Sequence, residues 1–391
     1  MKHYKSVFLC FLLTIPHFIY AQIPTQIIRG QVTNAVSGSP LPGVHIVLEN
    51  HTPLLGTITD VDGYFRLVGV PVGRQSIRFT FIGFEPQIVR DIMVTSSRET
   101  VLDVNLLESS TELNELVVTP RMSKEQPINH MAVSSARLLS MDEASRYAGG
   151  FDDPARLASS FAGVAGNLSD NAIVIRGNAP KGLLWRMEGV DIPTPSHFAN
   201  IVTMGGGGIT ALSSQMISNS DFYTGAFPAE FGNALAGAFD IRLRYGNTDR
   251  REHMGQIGFN GFELGTEGPF NNKSRASYLL NIRYSTLEVL KQLGMSFGTG
   301  EAIPQYKDLA FKLNFPLQSG RVSIFGVGGS SYIEMLDSKG DSASFGFSGT
   351  DLRFLARMGV MGISHLHYFS PETRITNTIS ASGLKNVSRI I

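Results

Sequence analysis

Along residues 305–317 apolar and polar positions alternate strictly. Leu309, Phe311, Leu313, Phe315 and Leu317 fall on one face, and Ala310, Lys312 and Asn314 on the other. Tyr278, Leu280, Ile282 and Tyr284 alternate in the same way with Asn281 and Arg283. A period of two is that of a β-strand with unlike surroundings on its two faces. The longest example is residues 353–369, where Phe354, Ala356, Met358, Val360, Leu366 and Tyr368 share a face opposite Arg357, His365 and His367. Fourteen steps of ~3.3 Å, tilted about 45°, give a rise of roughly 33 Å from Phe354 to Tyr368. Strands of soluble proteins average only ~5 to 6 residues. The pattern therefore predicts six or seven membrane-spanning strands after Gly246, apolar outward and polar inward, with Phe354 and Tyr368 in two aromatic girdles.

Upstream the pattern is shorter in range. Over residues 27–107, β runs recur at intervals of about ten residues, separated by turn signals at 37–43, 62–63 and 70–73. Runs at 44–48, 64–68, 76–81 and 101–107 predict a seven-strand antiparallel sandwich of roughly 80 residues. Asp60 and Asp62 before Gly63 resemble the opening of a calcium loop, but Tyr64 at the fifth position cannot be the usual oxygen ligand, so a hairpin turn is expected. His45 and His51 have no partner at ligand spacing, and no metal is assigned.

Between 108 and 127 the pattern lapses around one apolar island, residues 116–118, closed by Pro120. It reads either as an extended segment able to add to a partner's sheet edge or as the last edge strand of the sandwich. Residues 128–245 are mixed. Asp153-Pro154 with Leu157 and Phe161 predicts a capped helix with one apolar face, and runs at 172–176, 183–187, 221–224 and 238–243 predict strands. An α+β domain of about 115 residues follows. Its glycine run at 205–208 has no lysine after it, as a phosphate cradle would, and is expected to be a flexible loop.

Composition narrows the function. Lys plus Arg and Asp plus Glu are both 33, so no basic surface invites nucleic acid. Charged residues make up 17% of the chain, which also holds 41 glycines, a composition suited to β-rich envelope proteins. Lys2 and Lys5 precede an apolar run over 7–15 and a stretch ending at Ala21, which reads as a secretory signal, residues 1–21. That run is far shorter than the ~20 residues of a spanning helix. The single cysteine, Cys10, lies within it, so the mature chain has no disulfide and no thiol chemistry. No His-Glu-x-x-His and no convincing catalytic triad is present, no cofactor is implied, and no catalytic residue is assigned.

With these motifs in view, the chain resembles the TonB-dependent outer-membrane receptors, in the subgroup with an N-terminal carboxypeptidase-regulatory-like domain. Gly30-Gln31-Val32, Pro42-Gly43-Val44, residues 59–65 and Phe81-Ile82-Gly83-Phe84 look like that domain, a non-catalytic transthyretin-like β-sandwich. Residues 113–120 are similar to the TonB box. Ile175-Arg176-Gly177, Glu188-Gly189-Val190 and residues 223–232 look like the plug. Met187-Glu188-Gly189 departs from the family's commoner Asp-Gly, which leaves the substrate open.

The resemblance implies a mainly β chain: signal peptide 1–21, sandwich 22–108, linker with TonB box 109–127, α+β plug 128–245, and an incomplete transmembrane antiparallel β-barrel over 246–391. Eight strands close a barrel barely wide enough for its own side chains, whereas the family's has about 22. Spanning sheets leave no unpaired edge in lipid. The 391 residues are therefore expected to be a truncated product or a partial sequence.

The function implied is TonB-coupled active import of an unidentified extracellular ligand such as a siderophore, glycan or peptide. TonB, with its inner-membrane energising complex, would pair with Glu115, Leu116, Val117, Val118, Thr119 and Pro120. The plug charges Arg176, Glu188, Glu230 and Arg242 would meet the barrel wall, with Glu263 and Glu267 as partners, although surface charge is the ordinary reading of each. The chain would lie in the outer membrane of a Gram-negative bacterium, against its lipid, with the sandwich and linker in the periplasm. The alternatives are a ligand-binding or signalling protein without transport, and a non-functional truncated receptor.

Overall fold

The computed structural model describes residues 24–109, 127–129, 131–132, 135–139, 144, 153–166, 171–201, 204–258, 261–271, 274–285, 304–336, 351–370 and 372–390. The expected signal peptide and TonB box lie outside them. The chain is mainly β, in three parts.

The first part is a sandwich of eight strands: β1 (Thr25–Asn34), β2 (His45–Leu48), β3 (Gly56–Ile58), β4 (Tyr64–Pro71), β5 (Gly73–Thr80), β6 (Gln87–Val94), β7 (Thr100–Val101) and β8 (Val104–Leu106). One sheet runs β4-β1-β7 with β8 also on β1; the other runs β3-β2-β5-β6. Alternate residues of both, among them Ile28, Val32, Ile46, Leu67, Ile77 and Phe79, close one apolar core. Three expectations are corrected, the first being the strand count, which is eight rather than seven. The sandwich is not wholly antiparallel, because β7 and β8 return from the other sheet and run parallel to β1. The Asp60–Gly63 turn is not a hairpin, since β3 and β4 belong to different sheets. The Asp60 carboxylate instead accepts the Asp62 and Tyr64 amides at 2.9 and 3.0 Å and turns the chain across the sandwich.

The middle part is built on a five-stranded sheet ordered β13-β12-β15-β14-β9. Its strands are β9 (Ala136–Leu139), β12 (Leu183–Met187), β13 (Val190–Ile192), β14 (Ser220–Tyr223) and β15 (Gly237–Ile241). A two-stranded ribbon, β10 (Val164–Gly166) with β11 (Ile173–Ile175), lies beside it. Helix α1 (Pro154–Ala158) starts as its sequence predicts: Asp153 accepts the Ala155 amide at 2.9 Å, Pro154 opens the helix, and Leu157 is buried. The glycine run at 205–208 is close-packed rather than open. A Cβ on Gly207 would stand 2.4 Å from the Ser196 Cβ, so only glycine lets these two backbone segments meet.

The last part is a seven-stranded antiparallel meander in strict chain order: β16 (Glu252–Gly258), β17 (Gly261–Pro269), β18 (Ser277–Tyr284), β19 (Gln305–Leu317), β20 (Gly320–Leu336), β21 (Asp351–Tyr368) and β22 (Arg374–Ile390). One face is the inner wall. Leu279, Ala310, Phe325, Val327, Met358 and Val360 join the core of the middle domain. Among the described residues no helix is long and apolar enough to cross a membrane.

Strands β18 and β19 face as the alternation predicts, with Ile282, Leu309 and Leu317 exposed and Asn281, Ala310, Lys312 and Asn314 buried. On β21 the predicted facing is reversed. Phe354, Ala356, Met358, Val360 and Leu366 are buried on the inner face with Tyr368 in the same alternation, while Arg357, Met361 and Ile363 point outward. Alternation shows that two faces differ but not which is inside, and here the inside is filled by a folded domain that itself demands apolar contact.

The outward aromatic rows are therefore built from residues other than Phe354 and Tyr368. At the short-turn end Phe270 stacks on Phe315 with ring centres 5.4 Å apart and lies 5.6 Å from Tyr278. At the other end Phe262 pairs across strands with Tyr284, and Tyr332 continues the row. Ten residues separate Tyr332 from Val322, the partner of Phe315. At ~3.3 Å each and a tilt of ~40°, they rise roughly 25 Å, the height of an outer-membrane apolar band. Met361, 58% exposed, lies between these rows. Met361→Arg should cost about 2 kcal/mol or more of stability in lipid vesicles. Urea titrations in which the substitution is neutral would place Met361 away from lipid.

Candidate functional site: the seam between the middle domain and the wall

The middle domain meets the inner wall along a seam of buried charge. Glu188 sits at the β12–β13 turn with a backbone φ of +52°. The Lys312 ammonium on β19 donates to both of its carboxylate oxygens at 3.0 Å and to the Leu243 carbonyl at 2.7 Å, and lies 4.0 Å from the centre of the Tyr245 ring. Lys312 is 2% exposed, so this ammonium is held by the seam rather than by water.

A second cluster lies further along the same wall. Asp308 on β19 takes two nitrogens of Arg283 on β18 on its Oδ2, at 2.7 and 2.6 Å, and contacts the His197 ring of the middle domain through Oδ1. His197 packs against Tyr306 with ring centres 4.8 Å apart. Arg283 also donates to the Thr210 carbonyl. Thr210 in turn donates to Asp153, the cap of α1, through its amide at 2.8 Å and its hydroxyl at 3.0 Å. One polar chain thus runs from the wall to a helix cap.

Two further contacts come from β17. Glu267 takes two nitrogens of Arg244, at 2.7 and 2.8 Å, and Glu263 accepts from Ser213 and from Asn281.

Of the charges singled out in the sequence, the structure places Glu188 at the wall and turns the other three into the middle domain. Arg176 donates to the Ser135 hydroxyl at 3.1 Å, Glu230 accepts from Asn129 at 2.6 Å, and Arg242 lies 3.6 Å from Asp240. Glu115 to Pro120 fall outside the described residues. Sequence reasoning passed over His197, Arg283, Asp308, Lys312 and Arg244 as site residues. The available signal was ionisable residues on the polar face of an otherwise apolar alternation, since a charge aimed into a filled interior has to find a partner there.

The five-stranded sheet also holds two buried carboxylates, Asp221 and Asp240, directly paired across β14 and β15. Asp221 accepts the Ile128 and Asn129 amides, both at 2.8 Å, where the chain enters the domain. Burial raises the Asp221 carboxyl above its ordinary range, partly offset by those two amides. Burial pushes Asp240 up to about 6, with Arg242 opposing and Asp221 adding to the rise. Among the described residues no cluster of His, Cys, Asp and Glu is arranged to hold a metal.

Fold and seam together define a class: a membrane-type antiparallel wall packed around a folded inner domain and preceded by a sandwich. Residues 27–107, the sandwich, match the family model of the carboxypeptidase regulatory-like domain. No curated protein sequence matches the chain significantly. Similar solved structures include the siderophore receptor PirA from Acinetobacter baumannii, at 15% identity and TM-score 0.39, covering 66% of this chain and 44% of that one. The alcaligin outer-membrane receptor FauA from Bordetella pertussis is similar at 10% identity and TM-score 0.46, covering 65% and 40%. A ferric enterobactin receptor mutant from Pseudomonas aeruginosa is similar at 12% identity and TM-score 0.38, covering 68% and 47%. The chain spans less than half the length of each of these receptors.

Proposed function

We propose that this chain carries the sandwich, plug and wall strands of a TonB-dependent outer-membrane receptor for active import. The observation that supports this reading is the seam. A folded domain is held inside an outward-apolar wall by contacts such as Glu188 with Lys312 and Arg244 with Glu267, which can be broken and remade without unfolding the wall. The sandwich and linker lie in the periplasm in this reading, where TonB pairs with Glu115 to Pro120. Pulling there acts on residues 127–129, which the paired amides tie to Asp221, and so on β14, the strand next to the edge strand β9 of the five-stranded sheet. The ligand is an extracellular small molecule of the class carried by siderophore receptors, or a glycan or peptide.

The experiment is uptake by a Gram-negative strain producing the protein, offered ferric siderophores, oligosaccharides and short peptides. Deleting residues 115–120 should bring uptake of whichever probe enters down to background while cell-surface binding of the same probe persists. Uptake that survives the deletion, or that is indifferent to collapse of the inner-membrane proton gradient, would rule the reading out.

A further inference from the structure

We propose that the N-terminal sandwich is an intramolecular lid, docked on the short-turn end of the wall and coupled to the middle domain through a shared carboxylate. The anchor is Glu99, just before β7, whose side chain is fully buried. Its oxygens take Arg29 at 3.0 Å and Arg66 at 2.7 Å from the sandwich. They also take Arg250 at 3.0 Å and the Asn247 side-chain amide at 2.7 Å, both from the segment entering the wall. A buried carboxylate is tolerated only with its charge and lone pairs satisfied, and here half of its partners come from outside its own domain. The sandwich surface is thus complementary to the rim it meets.

Two independent contacts fix the same pose. Arg275, in the β17–β18 turn, bridges Asp60 at 2.7 Å and Asp62 at 3.0 Å on the sandwich turn. The Tyr368 hydroxyl, at the end of β21, donates to the Gly38 carbonyl at 2.8 Å. The dock therefore touches the rim at the β16 entry, the first turn and the last.

Coupling follows from Glu267. Besides Arg244 of the middle domain it takes Arg29 of the sandwich at 3.3 Å, and Arg29 is also bonded to Glu99. Drawing Arg244 off the wall changes the field that Arg29 experiences, and lifting the sandwich changes the field on Arg244. Linkage requires the two effects to be reciprocal. The lid does not depend on what the receptor carries, nor on whether it transports.

The test uses the only cysteine, Cys10, as an advantage, since it lies in the expected signal peptide and the remaining chain is cysteine-free. Asp62→Cys with Arg275→Cys, treated with a short bismaleimide in outer-membrane preparations, should cross-link sandwich to rim. A Gln31→Cys with Asp103→Cys pair, whose parent residues are bonded within the sandwich at 2.9 Å, reports that the sandwich is folded. Glu99→Gln should lower the first cross-link roughly tenfold, the weight of one charge-assisted hydrogen bond, and leave the second intact. Arg250→Gln, outside the sandwich, should do the same and decides the matter if Glu99→Gln loses both. Arg244→Gln should raise the dock cross-link, because Arg244 and Arg29 compete for Glu267, although Arg244's own bonds are to Glu267 and Gln215 and not to the sandwich. No cross-link in the parent pair, or a yield unchanged in Glu99→Gln and Arg250→Gln, overturns the lid. A yield unchanged only in Arg244→Gln overturns the coupling.

Discussion

Lys312→Met should loosen the middle domain from the wall by about 3–5 kcal/mol, the cost of removing one partner from a buried ion pair. The ammonium is nearly water-free and makes three hydrogen bonds, two to Glu188 and one to the last carbonyl of the sheet region at Leu243. Methionine fills much the same volume, so the loss is electrostatic. Glu188 would keep one compensating donor, the Leu243 amide at 2.7 Å, and would otherwise hold an unpaired charge at a turn that is already in the left-handed region. Glu188→Gln with Lys312→Met should recover most of the loss, because the desolvation penalty of both charges then disappears. The single tryptophan reports the event: Trp185 is 4% exposed and stacked on Phe239 at 4.1 Å, in the strand that leads into Glu188. Urea titration in detergent micelles, followed by Trp185 emission, should show the single variant unfolding the middle domain first. A cost below about 1 kcal/mol would mean that the pair behaves as a solvated surface bridge.

The same pair shows how far the sequence could be read. Lys312 falls on the polar face of β19 in a pattern that needs no structure to see, because Ala310 and Asn314 flank it and every outward neighbour is apolar. Glu188 stood out as a charge in the middle domain. What joins them is a contact 124 residues apart in the chain, and no local rule selects Lys312 for Glu188 over Arg244 or Arg283. The facing of β21 failed for a related reason. Where one face carries Lys312 and Asn314 the inside is legible, but on β21 the inner face is Phe354, Ala356, Met358 and Val360 while the outward face mixes Arg357 with Met361 and Ile363, and the sign is set by the domain packed within. Arg176, Glu230 and Arg242 likewise looked available to the wall. Ser135 and Asn129 lie 41 and 101 residues from Arg176 and Glu230 in the chain, beyond the reach of a local rule, whereas Asp240 is only two positions from Arg242 and was available as a local partner. The parallel return of β7 and β8 along β1 has the same origin, since pairing partners are chosen by the core and not by either strand.

Acidification should stabilise the middle domain, by about 2 kcal/mol between pH 7 and pH 4 through Asp240 alone. The sign follows from the direction of the displacement. Asp240 is pushed up to about 6 from an ordinary 3.8, burial being the largest cause. Between those values the folded state holds the proton and the unfolded chain releases it, so unfolding free energy falls as pH rises through the window and is level above about 6. This is opposite to the usual carboxylate in an ion pair. The 3.6 Å contact with Arg242 is too weak to reverse it, because the guanidinium is 47% exposed while the carboxylate is 12% exposed and faces Asp221. Asp221 is displaced in the same direction and adds to the slope. Asp240→Asn should raise the pH 7 stability toward the pH 4 value and flatten the profile over this window, leaving only the contribution of Asp221. Measured by urea titration of Trp185 emission at half-unit steps of pH, a wild-type curve that rises from pH 4 to pH 6 would show that Asp240 is ionised throughout, and that its burial is compensated by Arg242 after all.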